Sequence, residues 1–410
     1  MNRPYITHGV LLTAALATLC GLATGQDSTP LDVQQQAMAG IAANNPDHFA
    51  WLLFTHTFAP LPDAPGKVTW ERWANSDAMF EDPFKTPEWP NEPISRSLKY
   101  SALLDHLNRE GLFPDGVPAN TGNYQEVRFN RPLFDYIVKN DLWYQEGIYR
   151  HTAIQPIDFP RDSKVIKVEW TPIKPEDKSR YYWTVYKTSS AQSGDSTASA
   201  DEILLGVNAF HIVSKDLPRW AWTTFEHMDN PGLGDYIGIK DSWGREPHYT
   251  PPHREVGLKY ETGKATPELM ELFKKKNIGD VWKNYVLKGT QVDFTDATGQ
   301  PTFMASSVLE LRFGYASSCI TCHAMATLGP PGIGNVPTNG NGQKLNFVLS
   351  QDPFVAPVGV PNPAWFTQQP VAGPLVRAPI VRQTDFLWSL PNSKSRKTTR
   401  HPQSNESSGQ

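Results

Sequence analysis

Cysteine is nearly absent from this chain: three residues in 410, at positions 20, 319 and 322. A disulfide framework of the kind that staples small exported domains is therefore excluded. A marked excess of one charge is also missing. Lys and Arg number 38 against 42 Asp and Glu, a formal net charge of −4, which leaves no footprint for nucleic acid and no polybasic membrane surface. There is no internal repeat. Past the first 25 residues there is no run of 18 apolar residues, so no spanning helix is expected. What the chain does have is 13 Trp and 36 Pro in a globular composition, 39% hydrophobic and 20% charged. These counts suggest a loop-rich fold with many aromatic side chains packed or lining a pocket, long enough for one large domain or two ordinary ones.

The first 25 residues read as a signal peptide. Arg3 supplies the positive charge, Val10 to Leu22 are apolar but short for a bilayer, and Ala23-Thr24-Gly25 offers a small-x-small cleavage pattern. The mature chain is expected to start near Gln26 and to be periplasmic or secreted, with no integral membrane segment once the signal is removed. An uncleaved anchor is the alternative. Lipidation of Cys20 is disfavoured by Leu19 before it.

Residues 26–160 read as a mainly helical, Pro/Trp-rich N-terminal region. Helices are expected over Asp32 to Asn44, Asp47 to Phe54 and Pro132 to Val138. Between them an aromatic stretch from Pro60 to Pro93 reads as an ordered wrap, since free linkers do not carry Trp70, Trp73, Phe80 and Trp89. Residues 161–390 read as an antiparallel sheet plus a late attachment segment. Lys164 to Trp170, Arg180 to Tyr186, Glu202 to Val213 and Trp220 to His227 alternate as four strands. Ser189 to Ala200 is a low-complexity excursion. Thr266-Pro267-Glu268 opens a short helix that Gly279 closes. Residues 391–410, with Lys394, Arg396, Lys397 and Arg400, read as a disordered, solvated tail. The expected class is α+β: a mainly antiparallel sheet, flanking helices and a C-terminal segment around Cys319 to His323.

Cys319-Ile320-Thr321-Cys322-His323 is the pattern of covalent c-type haem attachment. Two thiols three residues apart reach the two vinyl groups on one edge of the porphyrin, and the adjacent His323 then lies beneath the iron as proximal ligand. A chance match at this composition is expected about 0.0006 times per chain. A zinc site needs further Cys or a His pair at ligand spacing, and no Cys remains. A dithiol redox site normally opens a helix after a strand in a βαβ unit, which this neighbourhood lacks. One haem c is therefore the expected cofactor, and the late segment of the α+β fold is expected to be a C-terminal haem-attachment segment. By element order, small β-sheet haem proteins of the cytochrome c′-beta type are the nearest analogue.

The distal side is open in the sequence. Met325 is the last methionine and lies too close to His323 to reach the other face, and His401 falls in the tail. Met304 can reach but reads better as a core-filling side chain. By period two, Leu205, Val207, Ala209, His211 and Val213 share one face, an apolar stripe holding a single imidazole. With a turn at Ser214 to Pro218, His211 pairs near residue 221 and His227 lies about 20 Å away, so the two cannot share an iron. His211 is thus the candidate distal ligand, or a distal acid or base. The plain alternative is a core histidine bonded to backbone or to Glu226. His227 reads as an exposed or turn-capping residue.

Several stretches resemble a functionally uncharacterised family of exported bacterial monohaem c-type cytochrome-like proteins. They are Ala209-Phe210-His211-Ile212, Trp220 to Asn230 with its Trp-x-Trp-x-x-Phe-Glu-His pattern, Ser317 to Ala324, Phe129-Asn130, Phe134 to Ile137, and Trp70 to Trp73. The similarity runs from about His48 to Ala326, with Asp385-Phe386 as a C-terminal echo. It implies a haem-binding periplasmic protein and supplies no substrate. Three functions fit: an electron carrier serving a periplasmic redox partner, a peroxidase- or oxidase-type enzyme acting on a small molecule at an open distal site, and a gas sensor. A carrier needs only about 100 residues of wrapping. Roughly three times that length precedes the motif, which favours a large pocket or a docking scaffold.

Overall fold

The computed structural model describes residues 30–91, 99–100, 124–187, 202–230, 235, 237–253, 261–310, 317–329, 358–363, 366–367 and 381–397. The expected signal peptide, the Ser189 to Ala200 excursion and residues 398–410 lie outside these. No helix among the described residues is long and apolar enough to cross a membrane.

Helices start where a side chain can take the first free amides. Asn45 separates α1 (Pro30–Asn44) from α2 (Pro46–Thr57) and accepts from the His48 amide at 3.3 Å, with Pro46 at the first position. Asn75 caps α3 (Ser76–Phe80) in the same way, directly after β1 (Ala74–Asn75). β2 (Lys99–Tyr100) and β3 (Tyr124–Phe129) follow, then α4 (Arg131–Lys139) and α5 (Gln145–Thr152). The Asn130 side chain accepts from the Leu133 amide at 3.4 Å and the Lys164 amide at 2.9 Å, so one residue starts α4 and ties it to β4 (Lys164–Pro172). β5 (Trp183–Lys187), β6 (Glu202–Ser214) and β7 (Ala221–His227) come next. Four two-residue strands then form two small pairs, β8 (Ile239–Lys240) with β10 (Tyr249–Thr250) and β9 (Arg245–Glu246) with β11 (Lys264–Ala265). Thr266 caps α6 (Pro267–Lys275) through the Leu269 amide. That helix ends at Lys276 with Asn277 in the left-handed region (φ 53°). The expected closing residue, Gly279, instead starts the next single turn. β12 (Tyr285–Gln291), α7 (Cys319–Ala324) and the pair β13 (Thr327–Leu328) with β14 (Arg382–Gln383) complete the chain.

The architecture is α+β, with helices flanking an antiparallel eight-stranded sheet of order β1-β3-β4-β6-β7-β12, in which β2 also pairs β3 and β5 pairs β6. The four expected strands are present. β3 and β12 went unrecognised, and β3 brings the N-terminal region into the same sheet, so that region is not purely helical. The Pro60 to Trp89 wrap is ordered, with Trp70, Trp73 and Phe80 buried. The expected disordered tail needs correcting at its start. Ser393 is buried, Ser395 and the Arg396 amide bond the Glu146 carboxylate, and the Arg396 guanidinium lies 3.5 Å over the Tyr144 ring.

Both faces of the sheet are covered. On one, Ile166, Val168, Phe210, Ile212, Phe225 and Leu287 pack against Phe49, Trp51 and Phe54 of α2 and Leu269 and Phe273 of α6. Phe54 sits at the centre of that layer, with its ring centroid 4.6 Å from Phe58, 5.2 Å from Phe225 and 5.6 Å from Phe273. On the other face Phe129, Val165, Val213 and Trp222 meet Leu133, Phe134 and Ile137 of α4 and Ile320 and Ala324 of α7. A bulge in β6 sets which residues go where. Glu169 opposes Ala209 while Trp170 opposes Val207, which leaves Asn208 as an extra residue. Leu205 and Val207 consequently join the Phe210 face, and only Ala209, His211 and Val213 share the other. The five-residue stripe expected for β6 is thus broken after Val207, because strict alternation cannot anticipate an inserted residue. Phe54→Ala should cost about 3–5 kcal/mol, since a fully buried ring leaves a cavity in a layer of aromatics. Urea unfolding of the variant beside the parent protein measures that loss.

Candidate haem-attachment site

Three rows of cross-strand neighbours on the second sheet face build the floor of the site. The first is Phe129, Val165, Val213, Trp222 and Gln291. Two residues along lie Val127, Lys167, His211, Thr224 and Gly289, and two further Gln125, Glu169, Ala209 and Glu226. The rows pass from apolar, through polar, to acidic.

α7 is fastened to the first row. Its N-cap, Ser318, makes no side-chain capping bond. Gln291 takes that role from β12: its Oε1 accepts from the Ile320 amide at 3.0 Å and its Nε2 donates to Ser318 Oγ at 2.9 Å. Thr321 Oγ1 donates to the Gly359 carbonyl at 2.7 Å. From Ser317 to Gly329 every residue is buried except Cys319, Cys322 and His323, which are partly open. Spaced i, i+3 and i+4, these three lie on one face of one helical turn.

The His323 tautomer follows from its partner. Nδ1 lies 2.9 Å from the Phe386 carbonyl oxygen, which can only accept, so Nδ1 carries the hydrogen and Nε2 keeps its lone pair. A carbonyl that accepts from one ring nitrogen and so fixes the tautomer is what a metal-ligating imidazole requires. The ring packs against Trp222 at 4.4 Å between centroids. Although partly open, the motif has dense protein around it. Burial pushes the His323 pKa down to about 4, so the ring is neutral at pH 7. Burial, reinforced by the nearby Glu310, raises Cys322 to about 11 and Cys319 well above its ordinary value. Neither thiol is activated in the manner of a dithiol redox pair, whose nucleophile is a thiolate near neutrality. Cys319 Sγ donates to the Met304 carbonyl at 3.6 Å.

His211 faces the same side as the motif. Its Nε2 lies 3.0 Å from Glu310 Oε1 and its Nδ1 3.0 Å from Thr224 Oγ1, a hydroxyl that also reaches the Cys319 thiol. The expected core partners, backbone or Glu226, are replaced by these two. Glu226 instead accepts from the Ser307 amide and hydroxyl and from Asn230. Burial would raise Glu310, yet His211 beside it and the Ser306 amide at 2.6 Å hold it below the usual carboxylate range. Both ring nitrogens of His211 are therefore occupied in this arrangement.

The expected pairing of His211 near residue 221 is corrected to Thr224, with Ser214 opposite Ala221. His227 is then only three residues along from 224, about 10 Å. The two histidines are kept apart by parity rather than distance. His227 belongs to the opposite face and is fully buried, not exposed. It stacks on Tyr181 at 3.7 Å, its Nε2 lies 3.0 Å from the Arg180 carbonyl, and its Nδ1 accepts from the Asp229 amide, a turn-capping role. Met304 is buried in the apolar layer beside Trp222 and Ile320. Met325 is also buried, and His401 lies outside the described residues. Among the described residues no group of three or more Cys, His, Asp and Glu side chains is disposed to hold a bare metal ion.

Gln291 and Glu310 were not picked out from the sequence, and Thr224 and Phe386 entered only within the stretches that carry the resemblance, with no role assigned. Gln291 carries a signal only once β12 is recognised as a strand, and the Phe386 carbonyl carries none. No family model, curated protein or solved structure matches the chain.

Glu169, buried in the third row, accepts from Gln125 Nε2 at 3.2 Å, and burial raises its pKa from 4.5 to about 8. With the folded value above the unfolded one, its contribution to stability is complete below 4.5 and is lost as pH rises through about 8. Glu169→Gln should flatten this decline. Unfolding midpoints of parent and variant, taken at about pH 5 and about pH 9, measure it.

Proposed function

We propose that this protein is an exported monohaem c-type cytochrome that transfers electrons in the periplasm. The carrying observation is the disposition of the motif. Cys319, Cys322 and His323 share one partly open helical face, and the His323 Nδ1 hydrogen is committed to the Phe386 carbonyl, which leaves the Nε2 lone pair for a metal. In this reading Cys319 and Cys322 form thioethers with the porphyrin vinyls and His323 is the proximal ligand. The bound haem supplies a one-electron iron couple. Trp222 and Ile320 give an apolar floor, and the two thiols, their pKa values raised, remain protonated until they react. The partner is a periplasmic redox protein, and the resemblance of the Trp220 to Asn230 and Ser317 to Ala324 stretches to exported monohaem proteins points the same way.

One experiment tests export and attachment together. The intact mass of protein isolated from the periplasm should correspond to a chain beginning near Gln26 plus one haem that survives acid and organic solvent. Cys322→Ser should weaken or abolish attachment, while His323→Ala should leave haem tethered with an altered spectrum. A chain beginning at Met1, or one zinc per chain with no visible absorption, would sink the reading.

A second reading, a haem-dependent oxidoreductase of peroxidase or oxidase type with an open distal site, draws on one observation. His211 is held between Thr224 and an anionic Glu310 on the face that carries the motif, an arrangement that suits an acid–base residue better than an iron ligand. The two readings separate on His211→Ala. In a carrier ligated by His211 the Soret band shifts. In an enzyme that uses His211 to move protons, the resting spectrum is almost unaltered and turnover with peroxide falls.

A further inference from the structure

Two consecutive residues that carry a Cβ, Asp385 and Phe386, adopt left-handed backbone conformations, with φ of 47° and 68°. For an aspartate this is tolerated, but for a phenylalanine it is unfavourable and persists only when the surroundings impose it. The imposed turn presents the Phe386 carbonyl to His323 Nδ1. Resting on the haem reading above, we propose that Asp385, clamped by Lys215, is a positioning residue that aims this carbonyl and so sets how strongly His323 donates to the iron.

The clamp is built from three segments distant in sequence. Lys215 Nζ donates to Asp385 Oδ1 at 2.6 Å and Oδ2 at 2.7 Å, and both side chains are almost fully buried. The same ammonium donates to the Pro218 carbonyl at 3.1 Å and meets Asp158 at 3.1 Å. The Asp385 carboxylate also accepts from the Phe159 amide at 2.8 Å and from Trp220 Nε1 at 3.3 Å. Both oxygens of this carboxylate are thus tied to residues outside the motif, in the β6–β7 turn and at Phe159. From the other side the turn is fixed to the motif itself. The Thr384 amide and hydroxyl both donate to the Ala326 carbonyl, at 3.1 and 2.9 Å, and the Ala326 amide donates to the His323 carbonyl at 3.0 Å. β13 and β14 pair immediately beside it. The Phe386 carbonyl therefore has little freedom to swing away from Nδ1. A glycine pair would adopt the same turn without strain, but it would leave that carbonyl free to reorient.

The chemistry follows from the second shell. A firmly held acceptor on Nδ1–H increases the basicity of Nε2, which favours the ferric state and lowers the reduction potential. If the carboxylate is removed, the acceptor loosens and the potential should move to more positive values.

The test uses the haem-loaded protein, with midpoint potential and ferric EPR g-values read beside the melting temperature. Asp385→Ala and Lys215→Met should shift the potential upward and move the g-values. Asp385→Asn keeps an acceptor for Phe159 and Trp220 and tolerates the left-handed backbone, so it should restore most of the parent signature. It also remains informative should the alanine variant fail to fold, because a clamp that depends on the Lys215 charge still predicts a small upward shift. Variants that melt earlier yet keep the parent potential and g-values would overturn the positioning role and leave the haem reading standing. A parent protein without haem would overturn both.

Discussion

Covering both faces of one antiparallel sheet is the constraint on which the rest of this structure depends. A sheet with one wet face can spend every second residue on polar groups, but here each strand must be acceptable on two sides. β7 meets the demand with seven consecutive buried residues, and β6 with a run interrupted only near its start and at His211. Under that constraint a polar residue survives only when its hydrogen bonds are met. His211 is met by Thr224 and Glu310, and Glu226 by Ser307 and Asn230. The polar rows are therefore islands in an apolar field, gathered on the side that receives α7. The opposite layer is half aromatic and half aliphatic, and it holds buried polar groups of its own, His227 and the Glu126–Arg128 ion pair among them.

The face an individual residue occupies is decided by a single inserted position. Were Asn208 a regular strand residue instead of the bulge, alternation along β6 would put Leu205 and Val207 beside His211, in competition with the motif helix for the same surface. With it, those two side chains complete the aromatic layer and the motif side is left to Ala209, His211 and Val213. One bulge thus serves packing on one face and chemistry on the other.

How much was legible follows from which signals are local. The four strands from Lys164 to His227, the capped helices beginning after Asn45, Asn130 and Thr266, and the attachment motif are written in short-range patterns, and the elements appear within a few residues of where those patterns end. β12 was missed because Tyr285 to Gln291 contains Lys288 and Gly289 at a second bulge, which breaks its alternation. The partners of the site were not legible for a different reason. Gln291, Glu310 and Phe386 reach it from separate segments, and one of them contributes only a backbone carbonyl, which leaves no trace in residue type. The register of the β6–β7 hairpin was misjudged by three residues, since the turn spans Lys215 to Trp220 and Trp220 takes a left-handed conformation.

The bond from His323 to Phe386 spans 63 residues of chain, and the acceptor is the later of the two. In a polypeptide delivered N-terminus first, the motif emerges while the segment that will orient it is still to come. The helix bearing Cys319 and Cys322 is thus accessible before its imidazole is locked. Closure waits on residues 381–397, whose last residues fasten to Tyr144 and Glu146, in the segment whose Tyr149 also bonds Gly329 after the motif. The order of synthesis thereby becomes an order of assembly, in which the site is reachable first and aligned last.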